Sequence, residues 1–116
     1  MLGWHWLAQV DRVAPERLGD AQGLALMLGE LAQAMQLTPV GEPLVRAALG
    51  GPAAVLLLAE SHAAVHTDLA SGSAMVDVFS CREVNGDAAA AVVRRRLGGE
   101  LSWTVVARGG AAVSLA

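Results

Sequence analysis

Apolar and polar positions change period several times along this chain, and each change predicts an element. Trp4 to Val13 (WHWLAQVDRV) is apolar with polar interruptions and predicts a first strand. Pro15 opens a segment in which Leu24, Met27, Leu28, Leu31 and Met35 share one stripe, while Asp20, Gln22, Glu30, Gln33 and Gln36 lie mostly elsewhere. That spacing predicts an amphipathic helix from about Pro15 to Leu37, stopped by Pro39, with the methionines as core filler. Leu44 to Leu49 reads as a short strand. Ala53 to His66 reads as one strand and Ser73 to Arg82 as another, with the turn-like TDLASG between them. Asp87 is placed to N-cap a helix from Ala88 to Leu97. Gly98 stops that helix, and Arg94, Arg95 and Arg96 sit where the helix dipole favours cations. Leu101 to Arg108 predicts a last strand.

A central hairpin and only two helices predict an α+β fold. Its expected form is an antiparallel sheet with two helices packed on one face, a two-layer sandwich. Each half contains a strand–helix–strand unit, a weak internal repeat. The uncovered sheet face needs a partner, so a homodimer with αββα layering, or a higher homo-oligomer, is expected. At 116 residues the chain, 1–116, is a single domain.

Composition narrows the chemistry. Hydrophobic residues make up 54% with only three Trp, one Phe and no Tyr, so Leu, Val and Ala must fill the core. The net charge of −3 argues against an electrostatic nucleic-acid binder, which needs a basic face. No basic segment followed by an apolar one marks a signal peptide, and the longest apolar run, Ala47 to Ala59, is interrupted by Gly50-Gly51-Pro52. No membrane association is expected. The single cysteine, Cys81, cannot form an internal disulfide and fits a reducing cytoplasm. All eight basic residues are arginine, which excludes a lysine Schiff base and a Walker-type phosphate loop.

Against that spare background, Leu56 to Thr67 (LLLAESHAAVHT) crowds Glu60, Ser61, His62 and His66 together. A hairpin centred near Ala70 sets Cys81 opposite the Ala59–Ser61 region, so Ser61 and Cys81 are expected neighbours. His66 is harder to bring in. Five strand residues span roughly 16 Å, and odd spacing turns His66 to the opposite face. For His66 to serve Ser61, the strand must bend or bulge between them. From the residues alone, three readings stay open. The cluster can be satisfied strand residues. It can be a metal site of Glu60, His62 and His66 joined by Cys81, although no second ligand pair is present. It can be a serine hydrolase with His66 as base and Asp68 or Asp77 orienting it, although no Gly-x-Ser-x-Gly elbow is present.

A resemblance goes further. Ala59-Glu60-Ser61-His62, His66-Thr67 and Asp77-Val78-Phe79-Ser80-Cys81 resemble the prokaryotic S-adenosylmethionine decarboxylase proenzyme family. Its signature runs Ala-Glu-Ser-His, His-Thr, then Asp-x-Phe-Thr-Cys. Gly3-x-His5 and the following helix are similar to the family's start, so the likeness covers roughly Gly3 to Leu97. It implies that the Ser61 hydroxyl attacks the Glu60 carbonyl and that the Glu60–Ser61 bond is cut, leaving a covalent pyruvoyl group made from Ser61. It further implies that His66 removes the proton that drives the elimination and that Cys81 protonates the product carbon. The pyruvoyl cofactor would take the electron-sink role of pyridoxal without pyridoxal, lysine or metal. The implied activity is carboxy-lyase chemistry on S-adenosylmethionine, supplying the aminopropyl donor for spermidine synthesis.

The chain also departs from that pattern. Where the family has Trp-Pro-Glu after His-Thr, this sequence has Asp68-Leu69-Ala70. The aromatic expected fourteen residues before the serine is Ala47, a serine eight before it is Ala53, and the glycine after the cysteine is Arg82. The nucleoside contacts are thus lost while Ser61, His66 and Cys81 remain. Three expectations fit: S-adenosylmethionine held by other residues such as Trp4, Trp6 or Asp68; a related decarboxylase of ornithine or arginine; or a non-cleaving, catalytically inactive paralogue that acts as a binding partner.

Overall fold

The computed structural model describes residues 3–109. Six strands form one antiparallel sheet: β1 (Gly3–Asp11), β2 (Leu44–Ala47), β3 (Pro52–Leu58), β4 (Ser61–Asp68), β5 (Ser73–Ser80) and β6 (Glu100–Arg108). Their spatial order is β2-β3-β4-β5-β1-β6. Three helices, α1 (Pro15–Leu18), α2 (Ala21–Ala34) and α3 (Gly86–Leu97), complete the order of elements.

Alternation along the strands decides which face is dry. Trp6, Ala8 and Val10 of β1, Ala63 and Val65 of β4, and Val76 and Val78 of β5 are buried. They meet Leu24, Met27, Leu28 and Leu31 of α2 and Ala89, Val92 and Val93 of α3 in one core. Both long helices therefore cover the same sheet face, as the sequence predicts. The intervening positions point to the opposite, open face, where Leu7, Val55, Leu57 and Met75 stay exposed.

Three expected elements are redrawn. The Pro15–Leu37 helix is two helices, because Asp20 leaves helical geometry and its carboxylate accepts the Gly23 N–H at 3.0 Å, N-capping α2. The second long helix is capped by Asn85, whose side chain accepts the Ala88 N–H at 3.1 Å; Asp87 lies inside the first turn, where its charge suits the helix dipole. The third change matters most. Ala53–His66 is not one strand but β3 and β4, joined by a two-residue turn at Ala59-Glu60. Pairing runs from Leu58↔Ser61 to Ala53↔His66. The sequence hides such a turn, because neither residue is glycine, proline or asparagine.

Candidate active site

The Ala59-Glu60 turn is held from outside rather than by its own sequence. After α2 the chain passes alongside the end of β3, where Pro39 bridges Leu58. The Thr38 carbonyl accepts the Ala59 N–H at 2.8 Å, and Val40 N–H donates to the Leu57 carbonyl at 2.8 Å. Thr38 also grips the Glu60 side chain: its backbone N–H donates to Oε1 at 2.9 Å and its hydroxyl to Oε2 at 3.1 Å. Arg82 Nη1 lies 3.7 Å from Oε2, and Arg82 Nη2 donates to the Gln36 carbonyl at 3.2 Å. These contacts, the Thr38 N–H first, hold the Glu60 carboxyl below the ordinary glutamate range.

With Glu60 fixed, Ser61 takes up the remaining geometry. Its φ is +145°, a sparsely populated backbone region for a residue with a Cβ. Holding such a conformation costs on the order of 1–3 kcal/mol and survives only where the surroundings impose it. Cys81 sits across the turn, and its backbone N–H donates to the Glu60 carbonyl oxygen at 3.0 Å. Ser61 pairs with Ser80, so Ser61 and Cys81 are neighbours as the hairpin register predicts.

His66 is not brought to them within the chain. β4 and β5 pair without interruption from Ser61↔Ser80 to Asp68↔Ser73, so the bend or bulge that would carry His66 to Ser61 does not form. Five regular strand residues leave roughly 16 Å between the two. His66 is exposed on the open face, where it lines a groove of about 530 Å³ with Leu7, Gln9, Met75, Asp77 and Thr104. Neither Ser61 nor Cys81 lines that groove.

The open face also gathers residues from four strands near the Ala59-Glu60 turn. His5 Nε2 lies 2.7 Å and His62 Nε2 3.3 Å from the same oxygen, Asp77 Oδ2. Arg108 Nη1 lies 3.2 Å from His5 Nδ1, and the guanidinium stands 4.9 Å over the Phe79 ring. The register explains the convergence, since His62 and His5 both pair with Phe79, one position pair from Asp77. Ligand atoms of His5, His62 and Asp77 lie within 4.8 Å of one another, the one group among the described residues close enough to hold a metal ion. The expected set of Glu60, His62, His66 and Cys81 is not assembled, because Glu60 turns to Thr38.

Sequence alone missed Thr38 and the joining of His5 to His62 through Asp77. Thr38 lies 22 positions from Glu60, with no periodic relation to it.

Comparison with known proteins supplies the family. The model of the family described as S-adenosylmethionine decarboxylase matches residues 4–109. The S-adenosylmethionine decarboxylase proenzyme of Symbiobacterium thermophilum is 32% identical over 113 residues, covering 96% of this chain and 86% of that one. The proenzyme of Pseudomonas aeruginosa is 31% identical over 99 residues, 84% of this chain and 62% of its own length. The crystal structure of the adenosylmethionine decarboxylase from Aquifex aeolicus superposes with a TM-score of 0.76 at 25% identity, covering 90% of this chain and 88% of that chain. With the family model spanning nearly the whole chain and the fold agreeing, this protein belongs to the S-adenosylmethionine decarboxylase family.

Proposed function

We propose that this chain is the proenzyme of a pyruvoyl-dependent S-adenosylmethionine decarboxylase that cuts itself between Glu60 and Ser61. The observation that carries the reading is the scissile turn itself: a strained Ser61 follows a clamped Glu60 whose carbonyl oxygen already accepts a hydrogen bond from Cys81. Attack of Ser61 Oγ on the Glu60 carbonyl carbon forms a C–O bond and breaks the C–N bond, turning the peptide into an ester. Negative charge develops on the carbonyl oxygen during that attack, and the Cys81 N–H is in place to receive it. Opening the peptide also releases the backbone strain at Ser61, so part of the driving force is built into the fold. Elimination then frees the Glu60 carboxylate, and hydrolysis with loss of ammonia leaves a pyruvoyl group on residue 61.

The residues present fit that group. Its precursor hydroxyl, the donor for its formation and the only thiol of the chain lie around one turn, and no lysine competes for the role. The pyruvoyl carbonyl supplies an electrophile that captures a substrate amine and draws off electrons as carbon dioxide leaves. Cys81 serves as the acid that returns a proton to the product carbon.

His66 enters from a second copy. It belongs to the open face together with exposed Leu7, Val55, Leu57 and Met75, an apolar surface suited to burial against the same face of a partner. In an αββα homodimer of that kind the partner's His66 supplies the base that drives the elimination. The protein acts in the cytoplasm, on a small-molecule substrate.

Release of carbon dioxide from carboxyl-labelled S-adenosylmethionine by the cleaved protein tests the activity. Release from labelled ornithine or arginine instead reassigns the substrate, which the loss of the family's nucleoside contacts at Ala47 and Ala70 would then explain. No release from any of the three contradicts the reading.

A further inference from the structure

The two edges of the sheet differ in how they meet solvent. β2, at one edge, is four residues long, follows Pro43 and carries Arg46. Short length, proline and charge are the usual protections of an edge strand, whose unpaired N–H and C=O groups otherwise recruit another strand. β6, at the other edge, is built differently. It pairs with β1 along all nine residues, and among the described residues no strand pairs with its outer side. Leu101 to Ala107 (LSWTVVA) is uncharged, lacks glycine and proline, and is rich in residue types that favour strands. Its charges stand only at the ends, Glu100 at the first position and Arg108 at the last.

That distribution is complementary to itself. When two copies of β6 run antiparallel, only the register centred on Thr104 keeps all nine residues paired. The same register sets Glu100 opposite the partner's Arg108, at both ends of the ladder. Thr104 then faces the partner's Thr104, and Trp103 faces the partner's Val105. Opposite charges, a threonine pair and an aromatic beside a β-branched residue are each favourable across strands. Both charged groups have capacity for the contact. Glu100 is exposed, and its ion pair with exposed Arg12 is long at 3.5 Å. Arg108 spends Nη1 on His5 and keeps further N–H donors. We infer that β6 is a docking edge for a second copy of this chain, the two strands joining antiparallel about Thr104 into one continuous sheet. The contact uses the rim of the sheet and leaves the open face free, so it adds to the αββα pairing rather than replacing it. It lies wholly within residues 61–116 and does not depend on cleavage.

Cysteines placed along β6 read the register, with a short bis-maleimide to link thiols across a paired position and the wild-type chain as the control for Cys81. Thr104→Cys alone links most of the protein into pairs on a denaturing gel. Ser102→Cys alone does not, because the two copies of that position stand four residues out of register, roughly 13 Å apart. Leu101→Cys and Ala107→Cys link only when the two variants are mixed. Those two positions face the helix side of the sheet, so a contact through the open face cannot join them. Glu100→Arg sets like charges opposite each other at both ends and weakens this association roughly tenfold in sedimentation. Melting curves establish that each variant is folded, and the mixture decides if Thr104→Cys is not. No link at Thr104→Cys and none in the mixture overturns the proposal. So does a link at Thr104→Cys without one in the mixture, which assigns the contact to the open face, or equal linking through Ser102→Cys alone. Association unchanged in Glu100→Arg overturns it as well. The cleavage reading stands or falls separately, on the mass of the chains.

Discussion

β4 ends in two turns that contrast in how they obtain an unusual backbone angle. At the β4–β5 end the chain turns through Leu69 to Gly72, and the positive φ of +71° falls on glycine, where it carries no Cβ penalty. The turn is tied partly by its own residues, the Ser71 hydroxyl donating to an Asp68 carboxylate oxygen at 2.8 Å, and partly by main-chain bonds, Leu69 N–H to the Gly50 carbonyl and Val13 N–H to the Gly72 carbonyl, each at 2.9 Å. At the β3–β4 end the positive φ falls on Ser61, and the restraints come from far along the chain, from Thr38 and Arg82. One turn puts its unusual angle on glycine and is relaxed there. The other is strained and clamped, and it carries the Glu60–Ser61 bond. A chain that needed only to reverse direction would not require the second arrangement.

Substitutions that interchange these properties sharpen the contrast. The largest effect belongs to Ser61→Ala, which removes the attacking hydroxyl; cleavage is abolished while the melting temperature stays near that of the uncleaved wild type. Thr38→Val comes next. It deletes the hydroxyl donor to the carboxylate, a charge-assisted bond worth about 1.5–3 kcal/mol, and slows cleavage about tenfold or more in a time course on a denaturing gel. Arg82→Gly removes an exposed partner 3.7 Å from the carboxylate and slows cleavage by threefold or less, in line with roughly 0–1 kcal/mol for such pairs. Gly72→Ala, a change in the relaxed turn with nothing closer than 3.7 Å, costs stability of about 1 kcal/mol in urea unfolding and leaves the cleavage rate unchanged.

Acid offers a second handle on the clamp. Glu60 has a depressed folded-state pKa, so its charged form binds the clamp more tightly than its neutral form. The stabilisation it gives is fully present above the ordinary glutamate value of 4.5 and is lost as pH falls through the lower, folded value. Wild-type stability, measured by urea midpoint, therefore gains no Glu60-linked loss until below pH 4.5. In Thr38→Val that loss begins at the same pH but is smaller and complete at higher pH, because one of the groups holding the carboxylate ionised is gone and the folded value lies closer to the ordinary one.

Much of the frame was legible in the sequence because it rests on local periodicity. The stripe of Leu24, Met27, Leu28 and Leu31 identified the core side of α2, and the Ser73–Arg82 run after the turn-like TDLASG located β5 next to β4. The hairpin register brought Cys81 to the Glu60–Ser61 bond before any coordinates, since cross-strand distance depends only on where the turn lies. What escaped was set by distant partners. The Ala59-Glu60 turn has no turn residues and is imposed by Thr38; a glycine-free reversal inside LLLAESHAAV reads as one strand for that reason. Asn85 outcompeted Asp87 as a cap because it reaches the Ala88 N–H from just outside the helix. The His66 problem was visible as a demand for a bend. The regular β4–β5 register answers that the chain does not bend, and leaves this imidazole on the open face, away from Ser61.

The claim that Ser61 opens its own chain is tested most directly by intact mass of the purified, denatured protein after prolonged incubation. The account predicts two chains, residues 1–60 and 61–116, the second lighter by one ammonia than a fragment beginning with serine. A single chain persisting at 11.9 kDa would contradict it.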